Sequence, residues 1–185
     1  MKGYHEAVRR WLGLDIGTSS TKALLVDDRG LVVGRGHASY ELRVTASGRA
    51  EQRPENYLLA VRRAIAECGA SDGPLAGIGL VGQTPTLVLV RENGDAVYPA
   101  LTWQDTRAEA EARELGDELG PNERLFGTEL PWAPGYPPAK LLWLARHEPH
   151  VVDETAWALQ PKDYIGLHLT GSPLSDPWSS KGISH

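Results

Sequence analysis

Trp11-Leu12-Gly13-Leu14-Asp15-Ile16-Gly17-Thr18-Ser19-Ser20-Thr21-Lys22-Ala23-Leu24-Leu25-Val26 sets an acidic, glycine- and hydroxyl-rich turn between two apolar runs. Apolar runs of about four residues bounded by turn residues read as buried strands, so the segment predicts a hairpin. Gly17 suits such a turn, because it can supply a positive φ or a close backbone approach that a side chain would obstruct. Backbone N–H groups and the hydroxyls of Thr18, Ser19 and Ser20 could then face a phosphate, with Asp15 holding Mg²⁺ through water and Lys22 neutralising charge. The Gly-x4-Gly-Lys-Ser/Thr spacing of the Walker loop is absent. An acid with hydroxyls at a turn is also ordinary turn chemistry, and on these residues alone both readings stand.

Downstream, Asp27 to Gly30 reads as a second turn, and Leu31 to Tyr40 as a third strand, twisted or bulged at its glycines. Three strands joined by short turns imply an antiparallel meander. Gly48 to Pro54 reads as a polar loop, after which Pro54 opens a helix over 55–68 with Leu58, Val61, Ile65 and Cys68 on its apolar face. Ile78 to Gly82 and Leu87 to Val90 read as strands, and Asn93-Gly94 as a hairpin turn leading into Ala96-Val97-Tyr98. A helix is expected over 106–119, broken at Pro121 and Asn122. A proline-rich loop over 131–138 precedes a third helix from Ala139 to Arg146, with Trp143 as core. A short strand at 156–159 and a helix from Pro161 to Leu169, stopped by Gly171, complete the order. Hairpins followed by strand–helix crossovers predict an α/β fold with helices packed on a mixed sheet.

The chain has 185 residues, which fits one domain on the usual scale of about 100–200 residues. Its net charge of −5 gives no global basic field of the kind that binds nucleic acid or an anionic membrane. No apolar run approaches the ~18 residues of a membrane span, and residues 1–10 lack the basic-then-apolar order of an export signal. The single cysteine, Cys68, excludes an intramolecular disulfide and suits a reducing cytoplasm, with a buried side chain as its expected role. The expectation is a soluble cytoplasmic protein.

Five segments carry a resemblance: Asp15-Ile16-Gly17-Thr18-Ser19, Gly77-Ile78-Gly79-Leu80-Val81-Gly82-Gln83, Trp103-Gln104-Asp105-Thr106-Arg107, Ala139-Lys140-Leu141-Leu142-Trp143 and Pro161-Lys162-Asp163-Tyr164. In this order they resemble the N-terminal domain of the FGGY carbohydrate kinases, and among these most closely the xylulokinases. The resemblance runs from about Arg10 to the C-terminus and implies a ribonuclease-H-like domain of the actin and hexokinase ATPase superfamily. By it, residues 1–185 form one N-terminal kinase domain. The second domain, with the catalytic base and the adenosine site, lies outside this chain.

The resemblance implies an ATP-dependent kinase that phosphorylates a ketopentose or related polyol, D-xylulose first, with ATP and Mg²⁺ as cofactors. It places Asp15, Gly17, Thr18, Ser19, Ser20 and Lys22 at the phosphates, with Asp15 toward the metal, and Gln83, Thr84, Trp103, Asp105 and Arg107 at the sugar. The chemistry agrees: an indole offers a flat wall to the C–H face of a sugar, and a carboxylate and a guanidinium fix hydroxyls. Asp105 as the cap of the helix beginning near Thr106, and Trp103 as core, remain the alternatives. One departure stands at the pocket: xylulokinases typically carry Met-His after the glutamine and glycerol kinases an Arg-Glu pair, whereas this chain has Thr84-Pro85. Neither residue can donate an imidazole or guanidinium bond. The chain by itself is expected to be inactive, since no residue in it matches the base. A non-catalytic sugar-binding half-kinase and one chain of a split kinase are the other readings, and a homodimer stays open.

Overall fold

The computed structural model of the protein describes residues 8–123, 130 and 132–180. Strands β1 (Arg10–Ile16), β2 (Ser20–Asp27) and β3 (Val32–Ser39) form the expected meander, and β6 (Gly77–Gly82) joins β1 in parallel. The result is a mixed four-stranded sheet in the order β3-β2-β1-β6. Side chains alternate across it: Leu12, Leu14, Ile16, Ala23 and Leu25 are buried, whereas Trp11, Leu24 and Val81 on the opposite face are exposed. Helices α1 (Pro54–Glu67) and α5 (Pro161–Thr170) cover the buried face.

The glycines of β3 set how α1 lies. A Cβ at Gly34 would stand 2.0 Å from the Cys68 carbonyl oxygen, and one at Gly36 would stand 2.0 Å from that of Ala64. The helix therefore meets the strand backbone to backbone, through Ala64 and Cys68, and its fully buried face is Tyr57, Ala60, Val61, Ala64 and Cys68. Leu58 and Ile65, expected on that face, are only partly buried. The bulge of β3 lies between the partners of Leu25 and Val26, which pair with Gly34 and Val32 and leave Val33 extra.

A second layer holds two small antiparallel sheets, β4 (Arg43–Val44), β5 (Ala50–Gln52) and β8 (Ala100–Leu101) in one, β7 (Val88–Val90) and β9 (Trp157–Leu159) in the other. Its core gathers Leu87, Leu89, Leu101, Ala108, Trp143 and Leu144 under α2 (Glu109–Leu119) and α3 (Pro137–His147). Strand β5 falls where a polar loop was expected, because pairing with β4 and β8 decides its conformation rather than any alternation of its own. Residues 96–98 keep the Asn93-Gly94 turn but contribute only a bridge between Val90 and Ala96 and no strand, with Pro99 unable to donate beyond it. Helix α2 starts at Glu109 instead of 106, because the N–H of Thr106 donates to Gly48 and that of Arg107 to Asp105. A short α4 (Pro149–Asp153) follows α3, and α6 (Pro177–Ser180) closes the described chain. Helix α5 is capped at both ends, by a Gln160–Asp163 capping box and by Gly171 at φ 74°. Pro131, counted in the proline-rich loop, lies outside the described residues.

Candidate functional site

The hairpin tip projects from the end of the sheet where β1 and β2 turn. The Gly17 N–H donates to the Ser20 carbonyl at 2.9 Å, and a Cβ on Gly17 would lie 3.2 Å from that oxygen. Close approach, not positive φ, is what calls for glycine here. Tyr40, following β3, straps the turn: its hydroxyl donates to the Gly17 carbonyl at 2.6 Å and its N–H to the Ser19 carbonyl at 3.1 Å. Burial pushes the Tyr40 phenol up to about 12, so it remains a donor through the neutral range. The N–H groups of Thr18 and Ser19 donate to nothing among the described residues.

Asp15 and Lys22 sit directly opposite each other in the β1–β2 register, on the open face of the sheet. Asp15 is half-buried and Lys22 exposed, and neither is bonded among the described residues. Both line an open groove of about 740 Å³, together with Leu24, Arg35, His37 and Val81. Ser20, by contrast, is buried.

Gln52, which the sequence left in a loop, joins the hairpin to Gln83. Its Nε2 donates to the Thr18 carbonyl at 2.7 Å, and its Oε1 accepts from Tyr57 Oη and from Gln83 Nε2, each at 2.8 Å. Gln83 Oε1 accepts from Thr86 Oγ1 at 3.2 Å, and the Thr86 N–H donates to Gln160 Oε1 at 2.8 Å. This buried chain of amides and hydroxyls fixes the strand ends around the hairpin, since buried amides hold whatever partners they find, although Gln160 Nε2 makes no bond among the described residues. Thr84 Oγ1 donates to the Ser179 carbonyl at 3.1 Å, seating the C-terminal segment on the loop after Gln83.

Trp103 is 47% exposed and is not core, whereas Trp143 is buried as expected. The Trp103 indole Nε1 donates to Thr18 Oγ1 at 3.1 Å, which brings the candidate sugar wall against the candidate phosphate turn. Asp105 and Arg107 are placed differently. Asp105 is fully buried and does not cap α2; it accepts from the Ala50 N–H at 2.7 Å and is bridged by Arg107 Nε at 2.9 Å and Nη2 at 2.7 Å. Arg107 also reaches Glu51 at 2.5 Å and lies over the Trp143 ring at 5.0 Å. Burial opposes its charge, but the bonds to Asp105 and Glu51 outweigh that and hold the guanidinium above its ordinary value. The pair braces the Trp103 loop from behind.

Lys140 was also missed, although helical spacing puts it on the face of α3 that buries Trp143 and Leu144. The Glu51-Gln52 pair gave no periodic signal, being too short.

Residues 10–179 match the family model described as the FGGY family of carbohydrate kinases, N-terminal domain. The xylulose kinase of Lactococcus lactis is 36% identical over 166 residues, covering 87% of this chain and 33% of that protein. A crystal structure of a xylulose kinase from Brucella ovis superposes with a TM-score of 0.87 at 35% identity, over 95% of this chain and 37% of that one. The crystal structure of gluconate kinase from Lactobacillus acidophilus does so at 0.85 and 27% identity, over 96% of this chain and 36% of that one. The chain thus spans about a third of the length of the relatives it matches. The likeness bears out the actin and hexokinase ATPase type of fold expected from the sequence. Among the described residues, no helix is long and apolar enough to cross a membrane. With that model matched over residues 10–179 and curated relatives above 30% identity over most of the chain, this protein belongs to the FGGY family of carbohydrate kinases.

Proposed function

We propose that this chain is the N-terminal part of an ATP-dependent kinase that transfers the γ-phosphate to a hydroxyl of a ketopentose, with D-xylulose as the first acceptor to test. The observation that carries the reading is the Trp103–Thr18 bond, which unites the turn suited to phosphate with the wall suited to a sugar. The free N–H groups of Thr18 and Ser19 offer donors to phosphate oxygens, and Lys22 offers charge.

The donor set fits Mg²⁺. Among the described residues Asp15 is an unpaired carboxylate, and no group of three or more Asp, Glu, His or Cys is placed to hold a metal by itself. Mg²⁺ keeps several waters and needs only one or two carboxylates beside the phosphates. When bound it would shield the negative charge of the phosphates from the attacking hydroxyl. Phosphoryl transfer is mostly positioning and charge neutralisation, and this chain would supply half of it. The catalytic base belongs, on this reading, to a second domain that closes on the cleft and excludes water. A cytoplasmic setting agrees with the lone, buried Cys68.

Thr84-Pro85 and the likeness to a gluconate kinase make the acceptor the part to test most widely. In a polypeptide carrying this chain together with the C-terminal domain, ADP release should accompany D-xylulose within a panel of ketoses, gluconate and glycerol. Asp15→Ala should lower turnover by about 10²-fold or more and blunt its Mg²⁺ dependence. Unchanged turnover in Asp15→Ala would remove the phosphate turn from the site, and turnover only with gluconate or glycerol would replace the acceptor.

A further inference from the structure

Lys140 is fully buried on α3, and its Nζ donates to the carbonyls of Thr102 at 2.8 Å, Leu101 at 3.0 Å and Pro85 at 3.3 Å. A buried ammonium is costly unless its N–H groups all find acceptors, and it has three. Core packing alone gives no reason for the cost, because an unbranched methionine would fill a buried helix position that lies beside Ala139, Trp143 and Leu144 in helical spacing. What the lysine adds is a link between two loops. Pro85 stands two residues after Gln83, while Leu101 and Thr102 lead straight into Trp103.

We infer that Lys140 is a positioning residue for the sugar side of the cleft, its ammonium holding the loop after Gln83 in fixed relation to the loop that bears Trp103. The inference rests on the sugar-kinase reading above. The charged groups acting on Lys140 are Asp105, which favours the ammonium, and Arg107, which opposes it. Glu51 on β5 is taken by Arg107. Burial is the largest influence and pushes Lys140 down from 10.5 to about 7. Below that value the group has three N–H donors for three carbonyls; above it, two donors and a lone pair turned on an oxygen. The link therefore loosens as pH rises. Global stability moves the opposite way. From about 7 to 10.5 the unfolded chain binds a proton that the folded chain has released, so this group's contribution to stability rises with pH. A merely structural lysine would move sugar affinity and stability together.

The experiment is calorimetric titration of the 185-residue chain with D-xylulose from about pH 6 to 8.5, with urea unfolding at each pH. The indole N–H of Trp103, identified by its loss in Trp103→Phe, is followed by NMR over the same range. The wild-type affinity is expected to fall about 3- to 10-fold while stability rises, and the Trp103 signal to shift with a midpoint near 7. Lys140→Met should bind about 10-fold more weakly at pH 6 and lose both pH trends. Wild-type affinity in Lys140→Met, or a flat wild-type affinity profile, would overturn the inference. If the wild-type chain binds D-xylulose at no pH, the sugar reading fails separately. The Trp103 signal then decides: a shift near pH 7 that Lys140→Met abolishes supports the link, and a signal indifferent to pH or to the substitution refutes it. Should Lys140→Met not fold, the opposed trends of affinity and stability in the wild type, or their absence, give the answer.

Discussion

Asp105→Ala is expected to cost about 3 kcal/mol of folding stability, at the lower end of the ~3–5 kcal/mol for breaking a buried ion pair. The carboxylate is fully buried and serves two partners, so its loss leaves the Arg107 guanidinium without its bidentate acceptor and the Ala50 N–H without any. Glu51 still holds Arg107, which keeps the effect from the upper end. Replacing both members, as Asp105→Ala with Arg107→Leu, should recover part of the loss by removing the stranded charge. Urea unfolding of the three proteins measures it. A cost below about 1 kcal/mol for the single variant would show that the ion pair is not the brace described here.

Gly36→Val is expected to be at least as damaging. Its Cβ would stand 2.0 Å from a backbone oxygen of α1, an atom that cannot swing aside, so the helix must lift from β3 and open the core at Ala64. Overpacking of this kind costs about 1–3 kcal/mol where side chains can adjust, and rigid backbone puts the expectation at the top of that range or beyond. Gly30→Ala is the useful contrast: its φ of 78° strains an alanine, but open space surrounds it. A Gly36→Val protein as stable as Gly30→Ala would mean that α1 does not rest on the strand backbone.

These two sites also mark where sequence reading succeeds and where it stops. The β1–β2 hairpin was legible because its apolar runs are long enough to show strands and its turn is chemically distinct. The helix ends at Pro54, Pro161 and Gly171 were legible for similar local reasons. The inner face of α1 was not, because the large residues Leu58 and Ile65 mark a hydrophobic stripe while β3, lacking side chains at Gly34 and Gly36, selects the small ones. Asp105 was assigned by type to sugar binding or to a cap. Its actual partners are Ala50, 55 positions away, and Arg107, a neighbour in sequence, and only tertiary pairing of β5 with β8 brings the former near. Gln52 and Lys140 escaped for the same reason. Each is a polar residue whose role is defined by carbonyls and amides of other segments, and no spacing encodes those.

The four-stranded sheet ends at β6, Gly-Ile-Gly-Leu-Val-Gly, which carries neither charge nor proline and leaves Val81 61% exposed. An unpaired sheet edge without charge or proline is open to pairing with a strand of another molecule. Concentrated solutions of this chain are accordingly expected to associate through β6, and light scattering against concentration measures it, a flat scattering profile showing that the edge does not pair.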